Sequence, residues 1–224
     1  MLPLGGAKQR SLLAILLLRA GEVVSVDRLI DELWGEAPPE DAPTALHQHV
    51  SRLRKLLEPH AVLVTRSPGY VVELGEGELD LHAFERFVAE GRRSLEAGDS
   101  AAAATVLRRA LALWRGRPLA DLEYERFAAD AVARLDEAWL EALELRVDAD
   151  LALGRHTELV GELQTLVRNH PLRERLLRQM LLALFTARAV RPRHSMRTPP
   201  PDVGLRTTWV SSRARSFGDS STRS

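Results

Sequence analysis

Apolar positions recur along this chain with two rhythms, and the points where the rhythm changes mark its organisation. In "GAKQRSLLAILLLRAG" (6–21), Leu12, Leu13, Leu16 and Leu17 fall at helical spacing and Gly21 supplies a stop, which predicts a buried first helix. "EVVS" then carries two adjacent β-branched residues. Ser25 or Asp27 can cap the next segment, "VDRLIDELWG", in which Leu29, Ile30, Leu33 and Trp34 share a face. After Gly35 and "APPEDAP", Asp41 or Thr44 can cap a third helix with the stripe Leu46, Val50, Leu53 and Leu57, closed by Pro59. "VLVTRSPGYVVEL" reads as two strands around Arg66, Ser67, Pro68 and Gly69, hence a hairpin.

From Asp80 onward the two-residue alternation stops and helical patterns take over. They run over roughly Leu81–Ala97, Ser100–Trp114, Tyr124–Leu153, Thr157–Asn169 and Leu172–Ala187, with Gly98, "RGRP", Gly154 and "NHP" at the breaks. The small residues Ala101 to Ala104, Ala110 and Ala112 suit closely packed helix pairs of the tetratricopeptide type, although no exact repeat is visible. The fold class expected is mainly α.

The composition narrows the function. With 224 residues, 45 % of them hydrophobic, the chain can bury one large core or two small ones. It has no Cys, which excludes disulfides and Cys-based zinc sites. "LLAILLL", between Arg10 and Arg19, is too short to cross a bilayer and lacks a signal-peptide cleavage site, so a cytoplasmic location is expected. Basic and acidic residues balance at 31 each, but from Thr186 onward eight Arg face only Asp202 and Asp219. The preceding residues are therefore net acidic, and nucleic-acid binding would need a local patch. Only Lys8 and Lys55 are lysines, so arginine carries nearly all the positive charge, as in a GC-rich bacterial genome.

The stretch "DAPTALHQHVSRLRKLLEP" (41–59) is the candidate patch. Thr44, His47, Gln48, Ser51, Arg52 and Lys55 lie off its apolar stripe, which fits either the solvated face of a core helix or a face that reads DNA. Gln pairs well with adenine, Arg with guanine, and Thr or Ser with bases or phosphate. Arg66 sits in the hairpin turn, Gly69 suits a backbone angle that other residues resist, and Tyr70 suits packing of the hairpin onto the helices. Lys8, Gln9 and Arg10 open the first helix, where backbone N–H groups could meet a phosphate. His47 and His49, two apart on a helix, point to different sides and make a poor metal pair. No catalytic triad, phosphate-binding glycine loop or zinc-protease motif is present, so no enzyme activity, metal or cofactor is expected.

The order of elements, carried by "LGGAKQRSLLAILLL", "VVSVDRLIDELWGE", "ALHQHVSRLRKLLE", "LVTRSPGYVVEL", "LDLHAFERFVAEGR" and "ALALWRGRPLADL", resembles the Streptomyces antibiotic regulatory protein family of transcriptional activators. The resemblance covers Leu4 to about Phe185. It implies an OmpR-type winged helix-turn-helix at 4–76 and a tetratricopeptide-like bacterial transcriptional activator domain at 79–187, with a non-family tail at 188–224. It also implies double-stranded DNA as partner, held as direct repeats near a biosynthetic-cluster promoter, with RNA polymerase and a second copy of the chain as further partners. Arg52 and Arg54 match positions that commonly contact DNA, and the hairpin would act as a wing through Arg66. A helical interaction scaffold with a degenerate winged helix is the alternative.

Two departures from the family pattern stand out. Its small opening sheet is missing or nearly so ahead of "LGGAKQR", which points to a truncated start and a weakly stable winged helix. After Phe185 the match stops, yet GC-rich codons for Thr186 to Asp219, read from the third base of each, give GAGRQAEALHAYAAARRR and then DDLGVEPGAELRRL. That resembles the family's ending, so a one-base frameshift is expected to have replaced it, leaving the helix from Leu172 to Ala187 without its packing partners.

Overall fold

The computed structural model describes residues 5–58, 61–74 and 79–190. The expectations about the start of the chain, the closing role of Pro59 and the tail beyond Val190 lie outside the described residues.

The first part is three helices and a small sheet. α1 (Ala7–Leu17), β1 (Val24–Ser25), α2 (Val26–Trp34), α3 (Ala42–Leu57), β2 (Ala61–Arg66) and β3 (Gly69–Leu74) follow in order. The two alternative caps at each helix start resolve to one: Ser25 Oγ accepts the Arg28 N–H at 3.3 Å, and Asp41 Oδ1 accepts that of Thr44 at 3.1 Å. The stripe Leu46, Val50, Leu53 and Leu57 is buried against Leu12, Ile15, Leu16, Leu29 and Leu33. On α2 only Leu29 and Leu33 are fully buried, while Ile30 and Trp34 pack at the margin.

The sheet is antiparallel in the order β1-β3-β2, with Arg66 opposite Gly69 and Ser25 also paired with Gly69. The hairpin turn is thus shorter than the four residues expected, because Arg66 and Gly69 still pair across it. Gly69 also has a different reason for being glycine. Its φ is not positive; a Cβ there would sit 1.8 Å from the Val24 carbonyl oxygen, so the close approach of β1 is what excludes a side chain.

The remaining elements are α4 (Asp80–Glu96), α5 (Ser100–Ala112), a 3-10 turn (Ala120–Leu122), α6 (Arg126–Ala152), α7 (His156–Asn169) and α8 (Glu174–Val190). α6 is buried on two sides. Ala142, Leu145 and Ala149 meet α4 and α5, whereas Leu140, Leu143, Val147 and Leu151 meet α7 and α8. Small residues set the spacing as expected at Ala103, Ala104 and Ala110, which are buried, but Ala101 and Ala112 are exposed. At Gly91, an added Cβ would lie 2.5 Å from Leu107 Cγ, so α4 and α5 touch nearly backbone to side chain.

Arginine–carboxylate pairs stitch these helices together. Buried Asp150 accepts from Arg108, from Arg146 at 3.3 Å and from Arg155 at 3.2 Å; Arg146 also holds Glu162. Buried Glu144 accepts from Arg173 Nε at 3.0 Å, and Gln179 donates to the Glu144 carbonyl at 2.9 Å. A carboxylate buried inside a helix pair is tolerable only with such partners. They tie α6 to α5, α7 and α8.

The two parts are docked through α1 and α2. Lys8 Nζ meets Glu125 Oε2 at 2.9 Å, Arg10 Nε meets Asp121 Oδ2 at 3.3 Å, and Phe127 of α6 packs against the core of the first part. The outer face of α3 is left exposed. None of the described helices is long and apolar enough to cross a membrane.

Candidate nucleic-acid interface

With roughly 100° per residue, the burial of Leu46, Val50, Leu53 and Leu57 fixes which α3 side chains face away from the protein. Thr44, Gln48, Ser51 and Lys55 fall in one sector directly opposite the stripe, and all four are exposed. Arg52 is exposed on one margin of that sector. His47 and Arg54 lie on the other margin, beside the hairpin. The structure therefore brings seven of the eight candidate residues onto one helix, in three strips with different surroundings.

The hairpin-side strip is engaged with the sheet. His47 Nδ1 and the Tyr70 hydroxyl share a hydrogen bond of 3.1 Å, with the rings edge to face. Arg54 donates from Nε to the Leu63 carbonyl at 2.7 Å and from Nη2 to the Thr65 hydroxyl at 2.6 Å. Arg54 is half-buried, and its guanidinium clamps β2 to the helix before it does anything else. Thr65 was not singled out in the sequence; the alternation of β2, with Ala61 and Leu63 buried, is the signal that puts it on the helix-facing side.

The opposite margin holds His49, which the sequence set aside. Its ring is half-buried, packs on Trp34 with centroids 6.3 Å apart, and has a buried Nδ1 with no hydrogen-bond partner among the described residues. Burial first, and the charge of Arg52 second, hold this imidazole below its ordinary 6.5. His47 and His49 thus face Tyr70 and Trp34 respectively. Among the described residues no group of three or more His, Asp or Glu is placed to hold a metal ion.

Arg66, the eighth candidate, is exposed at the end of β2 but turns back along the hairpin, with Nη2 3.2 Å from Glu73 Oε1. An ion pair between two such exposed groups is weak and exchangeable. The helix start is no anion site. Asp41 caps it, and hydrogen bonds from Thr44, from its side chain first and its backbone second, hold that carboxyl below 3.8. Lys8 and Arg10 are likewise taken by Glu125 and Asp121, and Gln9 is buried, so the opening of α1 serves docking of the two parts.

An exposed polar helix face, framed by a hairpin that the same helix anchors, has the form of a recognition helix beside a wing. The comparisons agree. The model of the transcriptional regulatory protein C-terminal domain matches residues 4–72, and that of the bacterial transcriptional activator domain matches residues 79–189. Regulatory protein AfsR of Streptomyces coelicolor is 46% identical over 182 residues, covering 81% of this chain and 18% of that protein. Regulatory protein DnrI of Streptomyces peucetius is 40% identical over 187 residues, covering 79% of this chain and 69% of that protein. Among solved structures, Mycobacterium tuberculosis EmbR, in complex with a low-affinity phosphopeptide, matches with a TM-score of 0.79 at 35% identity, covering 83% of this chain and 50% of that one. The chain thus spans most of DnrI but under a fifth of AfsR. Two matched domains in this order and a relative aligned over most of its length place the chain in the Streptomyces antibiotic regulatory protein family of transcriptional activators.

Proposed function

We propose that this protein is a sequence-specific DNA-binding transcriptional activator of a biosynthetic gene cluster, acting in the cytoplasm and without catalytic activity of its own. α3 enters the major groove. Gln48 and Arg52 contact base edges, Thr44, Ser51 and Lys55 contact bases or phosphate, and Arg54 and His47 hold the wing against the helix. Arg66 exchanges Glu73 for backbone phosphate or the adjacent minor groove. The observation that carries this reading is the exposed row Thr44, Gln48, Ser51, Arg52 and Lys55 on a helix whose other side is wholly core. Tandem direct repeats hold two copies head to tail, and the helical layers contact RNA polymerase.

A second reading, an interaction scaffold with a degenerate winged helix, is favoured by the acidic balance of the chain ahead of Thr186. One experiment separates the two. Genomic fragments retained by the full chain are sequenced, and affinity for the enriched site is measured from 50 to 200 mM salt. A DNA reader using Arg52, Lys55 and Arg66 as its basic contacts loses roughly fortyfold in affinity per bound copy across that range, because each neutralised phosphate releases counterion. No enrichment, with weak binding that is flat in salt, selects the scaffold.

A further inference from the structure

Tyr70 brings a polar group to the edge of an apolar core. It belongs to the core cluster of the first part and is 5% exposed. Its backbone is held from both sides in the middle strand, opposite Val24 of β1 and Thr65 of β2. The hydroxyl of this fixed ring bonds to Nδ1 of His47 at 3.1 Å. His47 itself is exposed, and its Nε2 has no partner among the described residues. Two turns further along α3, Arg54 bonds to the Thr65 hydroxyl, so the helix grips both members of one cross-strand pair. In the His47–Tyr70 contact the buried ring is set by the sheet, and the exposed ring follows it. A phenol O–H is a better donor than an imidazole N–H, and an imidazole nitrogen is a better acceptor than a phenol oxygen. The Tyr70 hydroxyl therefore donates to Nδ1, which leaves the proton of a neutral His47 ring on Nε2.

We propose that Tyr70 is a positioning residue for DNA binding: it holds His47 in the Nε2–H tautomer, and that nitrogen donates a hydrogen bond to a phosphate oxygen on the hairpin side of α3. This role of His47 rests on the DNA-binding reading above and is added to its hold on the hairpin. Its place on the helix selects phosphate over a base. Thr44, Gln48, Ser51 and Lys55 occupy the sector opposite the core, which meets the floor of the groove, whereas His47 lies on the margin beside the hairpin. The margin of a helix in the major groove faces the groove wall, which is sugar and phosphate. A donor suits that wall. The other tautomer would turn a lone pair towards it.

Because the donor is uncharged, its contact with phosphate releases no counterion. His47 thus adds affinity without adding salt dependence, unlike Arg52, Lys55 or Arg66. Tyr70 acts only through His47 and touches no DNA itself.

The test uses the full chain and the genomic site enriched as above, at pH 8, above the ordinary titration range of histidine. Nitrogen NMR of the isotope-labelled imidazoles is recorded on the free protein, with His47 assigned by its loss in His47→Ala. The parent is expected to show a protonated Nε2 and a bare Nδ1, and in Tyr70→Phe the second tautomer appears. His47→Ala weakens specific binding about fivefold, the scale of one hydrogen bond. Tyr70→Phe weakens it about threefold, because the ring still reaches phosphate but must then be ordered on binding. Neither variant changes the salt slope, and the double variant is no weaker than His47→Ala alone. If Tyr70 merely braced the hairpin, its loss would add to that of His47→Ala, and the salt slope would fall as Arg66 left the DNA. That pattern, or a proton on Nδ1 in the parent, overturns the proposal while leaving DNA binding intact. No enriched site at all overturns the DNA-binding reading and this role of His47 together.

Discussion

Arg54 Nε donates to the main-chain carbonyl of Leu63 at 2.7 Å, which makes an α3 side chain the anchor of the hairpin. Arg52, two residues earlier, is exposed and makes no such bond to the sheet. The two arginines are therefore expected to fail differently. Arg54→Ala leaves the Leu63 carbonyl and Thr65 hydroxyl without their donor, and loss of bonds to a charged group lowers stability by about 1 to 3 kcal/mol. Arg52→Ala leaves the urea midpoint unchanged but weakens specific binding by about 1 to 3 kcal/mol and relaxes sequence preference, as loss of a bidentate base contact does. Equal loss on specific and random DNA would reduce Arg52 to a phosphate contact.

How much of this was readable beforehand depended on the range of the interaction. The stripe Leu46, Val50, Leu53 and Leu57 is set by helical period and was legible residue by residue, as was the exposed row beside it. The partners of Lys8 and Arg10 were not. Glu125 and Asp121 lie more than a hundred residues away, and no local pattern says that the opening of α1 docks on the helical layers instead of meeting a phosphate. Gly69 was singled out correctly, but the reason lay in β1, a two-residue strand too short to have a period. The buried Arg and carboxylate residues of α6 carried no signal of their own in the sequence, because burial on two faces erases the apolar stripe that would have set them apart.

Gly69→Ala tests the sheet. The new methyl would need to occupy the space of the Val24 carbonyl, so either β1 separates from β3 or the hairpin shifts. Backbone atoms cannot step aside as a flexible side chain can, and overpacking of this kind destabilises by about 1 to 3 kcal/mol or more. Thermal melts should show the loss. Amide exchange should place it at Val24, Ser25 and Tyr70; protection unchanged there would mean that the strand pairing is not what Gly69 protects.

His49 gives the first part of the protein a pH dependence of known sign. Burial against Trp34, with Arg52 nearby, keeps its folded-state value below the 6.5 of an unstrained chain. As pH falls, the unfolded chain binds the proton first. Stability is therefore full above about 6.5 and declines from there down to the lowered folded value, below which no more is lost. His49→Gln, which cannot titrate, should show a smaller fall in melting temperature between pH 7.5 and 5.5 than the parent. Equal falls in both proteins would assign the dependence to other groups.

The helical layers should depend heavily on Asp150. This buried carboxylate of α6 collects Arg108, Arg146 and Arg155, and Arg146 is itself buried. Removing the acid leaves buried Arg146 with only the half-exposed Glu162 as partner, so the loss approaches the lower end, about 3 kcal/mol, of that for a broken buried pair. Asp150→Ala is accordingly expected to lower the urea midpoint of α5 to α8 clearly. The contrast is Arg92→Ala, whose bond to Glu141 is 2.5 Å long but joins two half-exposed side chains. Solvent already screens that pair, so its removal changes stability by less than about 1 kcal/mol. Bond length alone would count Arg92 among the strong contacts; burial is what separates it from Asp150, and denaturation of the two variants side by side decides whether burial is the right criterion. Similar losses in both would show that the Asp150 cluster is hydrated and no stronger than a surface pair.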